Sequence, residues 1–119
     1  MGVLTRDAIL KAADLATETV AVPEWGGEVI VRAMRGTERD AFEIALFEGE
    51  GDARKFSGEN VRAKLLVRCL VDDKGERLFA DTDVKALGEH NAAVLDRLYD
   101  VAQRLSGIGK KDLDGAVKN

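Results

Sequence analysis

The sequence predicts an α+β fold: one N-proximal antiparallel β-hairpin packed with about four to five α-helices, with a second, miniature hairpin as an option. Three observations predict it. Apolar residues alternate with a period of two on both sides of Gly26-Gly27, the pattern of a hairpin buried on one face. Downstream, apolar positions recur at helical spacing behind Thr, Asp or Asn capping residues. The chain of 119 residues has room for one sizeable core and not comfortably for two. The expected organisation is a single domain over residues 1–108, then a polar C-terminal tail over 109–119 that lacks an apolar stripe and is expected to fray.

Bulk composition excludes several classes. A formal charge of −4, with no basic run longer than Lys110-Lys111, leaves no concentrated basic face for nucleic acid. The uncharged apolar runs are too short for a membrane span or a signal peptide, and one cysteine excludes an internal disulfide. The expected location is the cytoplasm.

Taken in order, Thr5 is a natural N-cap, with Asp7 in the first turn where the helix dipole favours an acid. Leu4 and Ile9 have the spacing of a hydrophobic staple, and Ile9, Leu10 and Ala13 form a short stripe. A helix of two to three turns ending near Leu15 is expected. In the hairpin, Val20 and Val22 face Val29, Val31 or Ala33. Pro23 has no N–H to give a ladder, so a loop of about four residues, Glu24 to Gly27, is favoured over a two-residue Gly-Gly turn. The opposite face is unexpectedly apolar, carrying Ala21, Ile30, Met34 and Trp25 with Arg32 among them. Either another segment covers that face or a partner does.

Thr37 should cap a second helix bearing Ala41, Phe42, Ile44, Ala45 and Leu46, stopped by Gly49. The glycine-rich charged stretch 48–55 reads as a mobile surface loop, its acids too irregular for a cation loop. Residues 59–71 carry Val61, Leu65, Leu66, Cys69 and Leu70 and give the strongest core helix. Cys69 reads as a small core hydrophobe. Residues 71–79 read as a tight turn or miniature hairpin, with Gly75 at positive φ. Asp81-Thr82-Asp83 should cap a short helix with Val84 and Leu87. Asn91 should cap a long one with Val94, Leu95, Leu98, Tyr99, Ala102 and Leu105 inward and Gly107 closing it. His90 lies between these helices in a loop or capping role. The expected core includes Val20, Val22, Val29, Val31, Phe42, Leu46, Leu65, Cys69, Leu95 and Leu98.

No catalytic pattern emerges. Ser-His-Asp and Cys-His arrangements, zinc spacings, P-loop and dinucleotide fingerprints are all missing from the sequence. No enzymatic activity, no cofactor and no bound metal are expected.

Four segments carry a family likeness: VPEWGGEVIVR (22–32), GTERDAFE (36–43), CLVDDKGERLF (69–79) and LDRLYDVAQRLSG (95–107). In this order, and covering nearly the whole chain, they resemble the tail assembly chaperones of long-tailed bacteriophages and prophages. The resemblance implies a small non-catalytic protein of the host cytoplasm that helps polymerise the tail tube around the tape-measure protein. It thus implies the tape-measure protein and the tail tube protein as partners, with self-association as a further option. It also implies two lengths of product, the longer made by a −1 ribosomal frameshift near the end of the shorter. Lys110-Lys111 and Lys118-Asn119 are the codons to inspect for a slip site. The competing reading is a structural virion protein, such as a head–tail connector or tail terminator subunit. No binding residues carry over from the family. The residues themselves point to Trp25, Ile30, Arg32 and Met34 as part of a surface for self-association or for a tail partner, because Trp and Met are enriched at interfaces.

Overall fold

A computed structural model describes residues 2–109, and the expectations for Lys110-Lys111, Lys118-Asn119 and most of the polar tail lie outside them. The architecture is α+β, with five α-helices and two small antiparallel sheets among the described residues.

Thr5 caps the first helix, α1 (Arg6–Lys11), its Oγ1 accepting the Ala8 N–H at 3.2 Å. Asp7 in the first turn and Lys11 in the last both suit the dipole. The helix is shorter than expected, stopping before Ala13, and it buries no residue. Its stripe of Ile9 and Leu10 therefore faces solvent instead of clipping onto the core.

The hairpin follows as β1 (Thr17–Val22) and β2 (Gly27–Arg32), with Val20 opposite Val29 and Val22 opposite Gly27. The four-residue connection is Pro23–Gly26, one residue earlier than expected. Pro23 opens a 3₁₀ turn, where a missing N–H costs nothing, and Gly26 closes it at φ 78°. Val22 and Val31 are fully buried and Val20 and Val29 half-buried against the core.

The helix α2 (Gly36–Ala45) starts earlier than Thr37: Arg35 is the N-cap, and its N–H donates to Glu38 Oε1 at 2.7 Å. Phe42 and Leu46 turn inward while Ile44 is exposed, so the expected stripe is narrower than its apolar letters suggested. The stretch expected to be a mobile loop instead closes a two-stranded ribbon, β3 (Phe47–Glu48) with β4 (Lys55–Phe56). Gly49 makes this closure feasible. It sits at φ 91°, and a Cβ there would lie 2.6 Å from the Ala53 carbonyl oxygen.

Central to the core is α3 (Val61–Cys69), in which Val61, Ala63, Leu65, Leu66, Val67, Arg68 and Cys69 are all buried. It ends two residues sooner than expected, because Leu70 and Val71 leave the helix as β5 (Leu70–Val71). That strand pairs Val71 with Ile30 and Leu70 with Val31, giving a three-stranded sheet of order β1-β2-β5. The miniature hairpin around Gly75 exists as a turn at φ 83° with a single Val71–Arg77 bridge, and its first strand is spliced onto the main sheet. A 3₁₀ turn over Asp81–Asp83 leads into α4 (Val84–Gly88), with Leu87 buried. Asn91 caps α5 (Ala92–Leu105), its Oδ1 accepting from Ala93 and Val94 N–H groups at 2.8 and 3.3 Å. Gly107 follows at φ 71°. Val94, Leu95, Leu98, Tyr99 and Ala102 are buried, and α5 packs on α3 and on both strands of the hairpin.

Candidate functional site

The four residues singled out on the hairpin do not form one surface. Trp25 stands at its tip, 38% exposed, with its ring edge-to-face on His90 at 5.5 Å between centroids. Beside it Glu24 takes both arms of Arg97 from α5, at 3.1 and 2.6 Å, and Arg97 also reaches the Ala21 carbonyl at 3.4 Å. Ile30, in mid-strand, is half covered and pairs with Val71.

Arg32 and Met34 correct the expectation of an exposed apolar row. Both are buried, because β5, the Gly75 turn and the start of α2 close over the base of the hairpin. The Arg32 guanidinium is 3% exposed and donates to Glu38 Oε1 at 2.5 Å, the Arg68 carbonyl at 3.2 Å, the Gly75 carbonyl at 3.2 Å and the Ala33 carbonyl at 3.0 Å. The four acceptors come from four different parts of the chain, so Arg32 acts as an internal tie. Met34 joins the core, and its N–H donates to Ser106 Oγ at 3.1 Å.

Sequence reasoning missed the Trp25–His90 contact. His90 follows α4, its N–H donating to the Leu87 carbonyl at 3.2 Å, which brings a ring 65 positions away in sequence beneath the hairpin tip. No local signal could have paired them. It also missed the apolar surface at the end of α2. There Phe47 lies exposed beside Ile44, edge-to-face with Phe56 at 6.0 Å, with the Arg54 guanidinium 4.8 Å from its ring centre. A groove of about 780 Å³ separates the N-terminal segment from the hairpin base, lined among others by Leu10, Leu15, Met34, Lys74 and Leu105.

Chemically reactive groups are subdued. Burial pushes the Cys69 thiol up to about 12, which keeps it protonated and a poor nucleophile. Among the described residues no group of three or more His, Cys, Asp or Glu side chains is placed to hold a metal ion. No helix among them is long and apolar enough to cross a membrane.

Two carboxylates are held below their ordinary values. The Arg97 hydrogen bond lowers Glu24, and the Arg77 hydrogen bond, helped by Arg68, lowers Asp81. Because the unfolded chain then binds more protons than the folded one, these pairs contribute stability above the ordinary values of 4.5 and 3.8, and the contribution is lost as pH falls through and below them. Denaturant midpoints measured down an acid series should fall in that window. Asp81→Asn should flatten the fall, and an unchanged slope would remove Asp81 from the account.

The described surface thus offers exposed apolar side chains and paired charges, the material of a protein that works by contact with other proteins. The comparisons agree with that class. The family model described as phage tail assembly chaperone matches residues 4–118, and the chain belongs to that family, whose role is non-catalytic and implies binding of tail proteins. The fold is similar to that of the bacteriophage HK97 tail assembly chaperone, with a TM-score of 0.62 at 23% identity over 84% of this chain and 89% of that one. No curated protein matched the sequence.

Proposed function

We propose that this chain binds the tape-measure protein, tail tube subunits, or both, in the host cytoplasm during tail assembly, and that it leaves before the particle is complete. The observation that carries the reading is the family match across residues 4–118. The surface supports it: contact with long helical or polymerising partners needs accessible apolar groups, and Trp25 at the hairpin tip is one of them. Residues 1–108 are taken as the working unit, with 109–119 as an appended tail. Of the four hairpin residues, Trp25 and the half-covered Ile30 remain as contacts, while Arg32 and Met34 act by holding the hairpin in place.

Pull-down of purified tape-measure segments and tube subunits tests the reading directly. Trp25→Ala should weaken capture by about 2 kcal/mol, the range of a contact hot spot, with little change in melting temperature. A lowered melting temperature with unchanged capture would make Trp25 a lid over His90 instead. Mass spectrometry of purified particles should detect none of this chain; several copies per particle would favour a connector or terminator subunit.

A further inference from the structure

The three-stranded sheet is closed along one edge and open along the other. Beyond β5 the Gly75 turn folds back, so that the Leu78 N–H donates to the Leu70 carbonyl at 3.0 Å and Val71 bridges Arg77. On the other side stands β1, which pairs with β2 alone. The Ala33 N–H donates to the Ala16 carbonyl at 2.9 Å, and this bond sets the phase of the ladder. Antiparallel pairs alternate between bonded and non-bonded, so Glu18–Val31, Val20–Val29 and Val22–Gly27 exchange the hydrogen bonds. The N–H and C=O groups of Thr17, Thr19 and Ala21 therefore point away from β2. Arg97 agrees with that phase, since its guanidinium reaches the outward Ala21 carbonyl at 3.4 Å. Among the described residues these outward groups make no other hydrogen bond, and all three residues are exposed.

Folded proteins guard such an edge with Lys, Pro, a bulge or a covering segment. Strand β1 has none of these. Its register with β2 is unbroken over six residues, and Thr17, Thr19, Val20 and Val22 are β-branched strand formers. The unpaired groups recur at the spacing of a strand, so an extended backbone satisfies them and a helix does not. Charge narrows the partner further. Arg97 and Arg104, the α5 residues that reach β1, are engaged by Glu24 and Glu18 at 2.6 and 2.7 Å. Asp100 between them on α5, and Glu28 opposite Ala21 in register, are exposed and form no ion pair among the described residues. At the base end, Asp14 and Glu76 share a groove with Arg35 and Lys74 and are balanced by them. The free charge beside the tip half of the edge is acidic.

We propose that the outer edge of β1 takes up an extended segment of a tail partner as a fourth strand, backbone to backbone along residues 17–21, with a Lys or Arg of that segment toward Glu28 and Asp100. The inference rests on the proposed binding of a tail protein and adds its mode. The recognised piece is a strand, basic at the end nearest the hairpin tip.

Amide hydrogen exchange of the full chain, read residue by residue by NMR, tests the edge first. In the free chain the Glu18, Val20 and Val22 amides should exchange slowly and those of Thr17, Thr19 and Ala21 fast. The probe is a blocked peptide of alternating Thr and Val ending in Lys-Thr-Lys, which should slow the three fast amides. Its counterpart ending in Glu-Thr-Glu should bind more weakly. The same basic peptide N-methylated at alternate amides should lose affinity roughly tenfold or more, because it cannot complete the ladder. Thr19→Pro removes an outward N–H and leaves the bonds to β2 in place, so it should match that loss, while Thr19→Val should bind like wild type. Slow exchange of the three amides in the free chain, no protection by the basic peptide, or equal binding of the N-methylated one would each overturn the proposal, and none of these needs a variant to fold. Pull-down of tail proteins separates the proposal from the reading beneath it. A wild type that binds the peptide but captures no tail protein refutes the tail partner and upholds the strand-accepting edge. Equal capture of a tail protein by wild type and by folded Thr19→Pro refutes the edge as its docking site and upholds the partner.

Discussion

Arg32→Ala should lose about 3–5 kcal/mol of folding stability, a large part of what a domain of this size holds. The substitution removes the donor for four acceptors drawn from four parts of the chain: Glu38 in α2, the Arg68 carbonyl in α3, the Gly75 turn and the backbone just past β2. Glu38, whose side chain is 10% exposed, would keep only the Arg35 N–H and a distant Arg35 guanidinium at 4.0 Å. The cost is therefore mainly that of a carboxylate and three carbonyls left without their donor, not the worth of one ion pair. Arg32→Lys should recover only part, since a single ammonium cannot reach four acceptors spread around a planar guanidinium. Combining Arg32→Ala with Glu38→Gln should cost less than the two single changes added together, because the second change removes the stranded charge. Urea unfolding of these variants decides the matter. A loss below about 1 kcal/mol for Arg32→Ala would show that water replaces the guanidinium and that the tie is dispensable.

Phe42→Ala should cost about 3–5 kcal/mol, while Ile44→Ala, two residues on in the same helix, should stay within about 0.5 kcal/mol. Both letters are large and apolar, so composition gives no reason to separate them. Phe42 is 1% exposed and belongs to the core cluster with Leu46, Leu65 and Leu66, where its removal leaves a cavity that rigid neighbours cannot fill. Ile44 is 64% exposed, so its truncation removes little buried surface. Thermal and urea denaturation of the pair measures the contrast directly. Equal effects would mean that Ile44 is covered in solution.

Much of the local structure was legible in the sequence because it is decided within a few residues. Thr5 and Asn91 cap the helices they were expected to cap, since a side-chain oxygen beside the first turn meets its unpaired N–H groups whatever lies beyond. Pro23 forbade the tight Gly-Gly turn, and a four-residue connection resulted, displaced by one position. The valines of the hairpin, Phe42, Leu65, Cys69, Leu95 and Leu98 all reached the core, because period and hydrophobicity select the buried face of each element.

What an element packs against is a different question, and there the pattern was silent or misleading. Leu70 and Val71 continue a helical stripe on paper, but β2 offered them an unpaired sheet edge, and two strand pairings ended the helix. Ile9 and Leu10 have the spacing of a core clip and meet no core. Arg32 alternates with valines as a solvent-facing residue should. It became the most buried charge of the hairpin because the start of α2 brings a carboxylate to it and two segments distant in sequence bring carbonyls. The sequence by itself determined the main hairpin and the principal helices, the apolar letters from which their buried faces are drawn, and the family to which the chain belongs. Only the tertiary structure decided which apolar faces are covered and which charge is enclosed, because burial depends on neighbours that arrive from elsewhere in the chain, and no local spacing encodes their arrival.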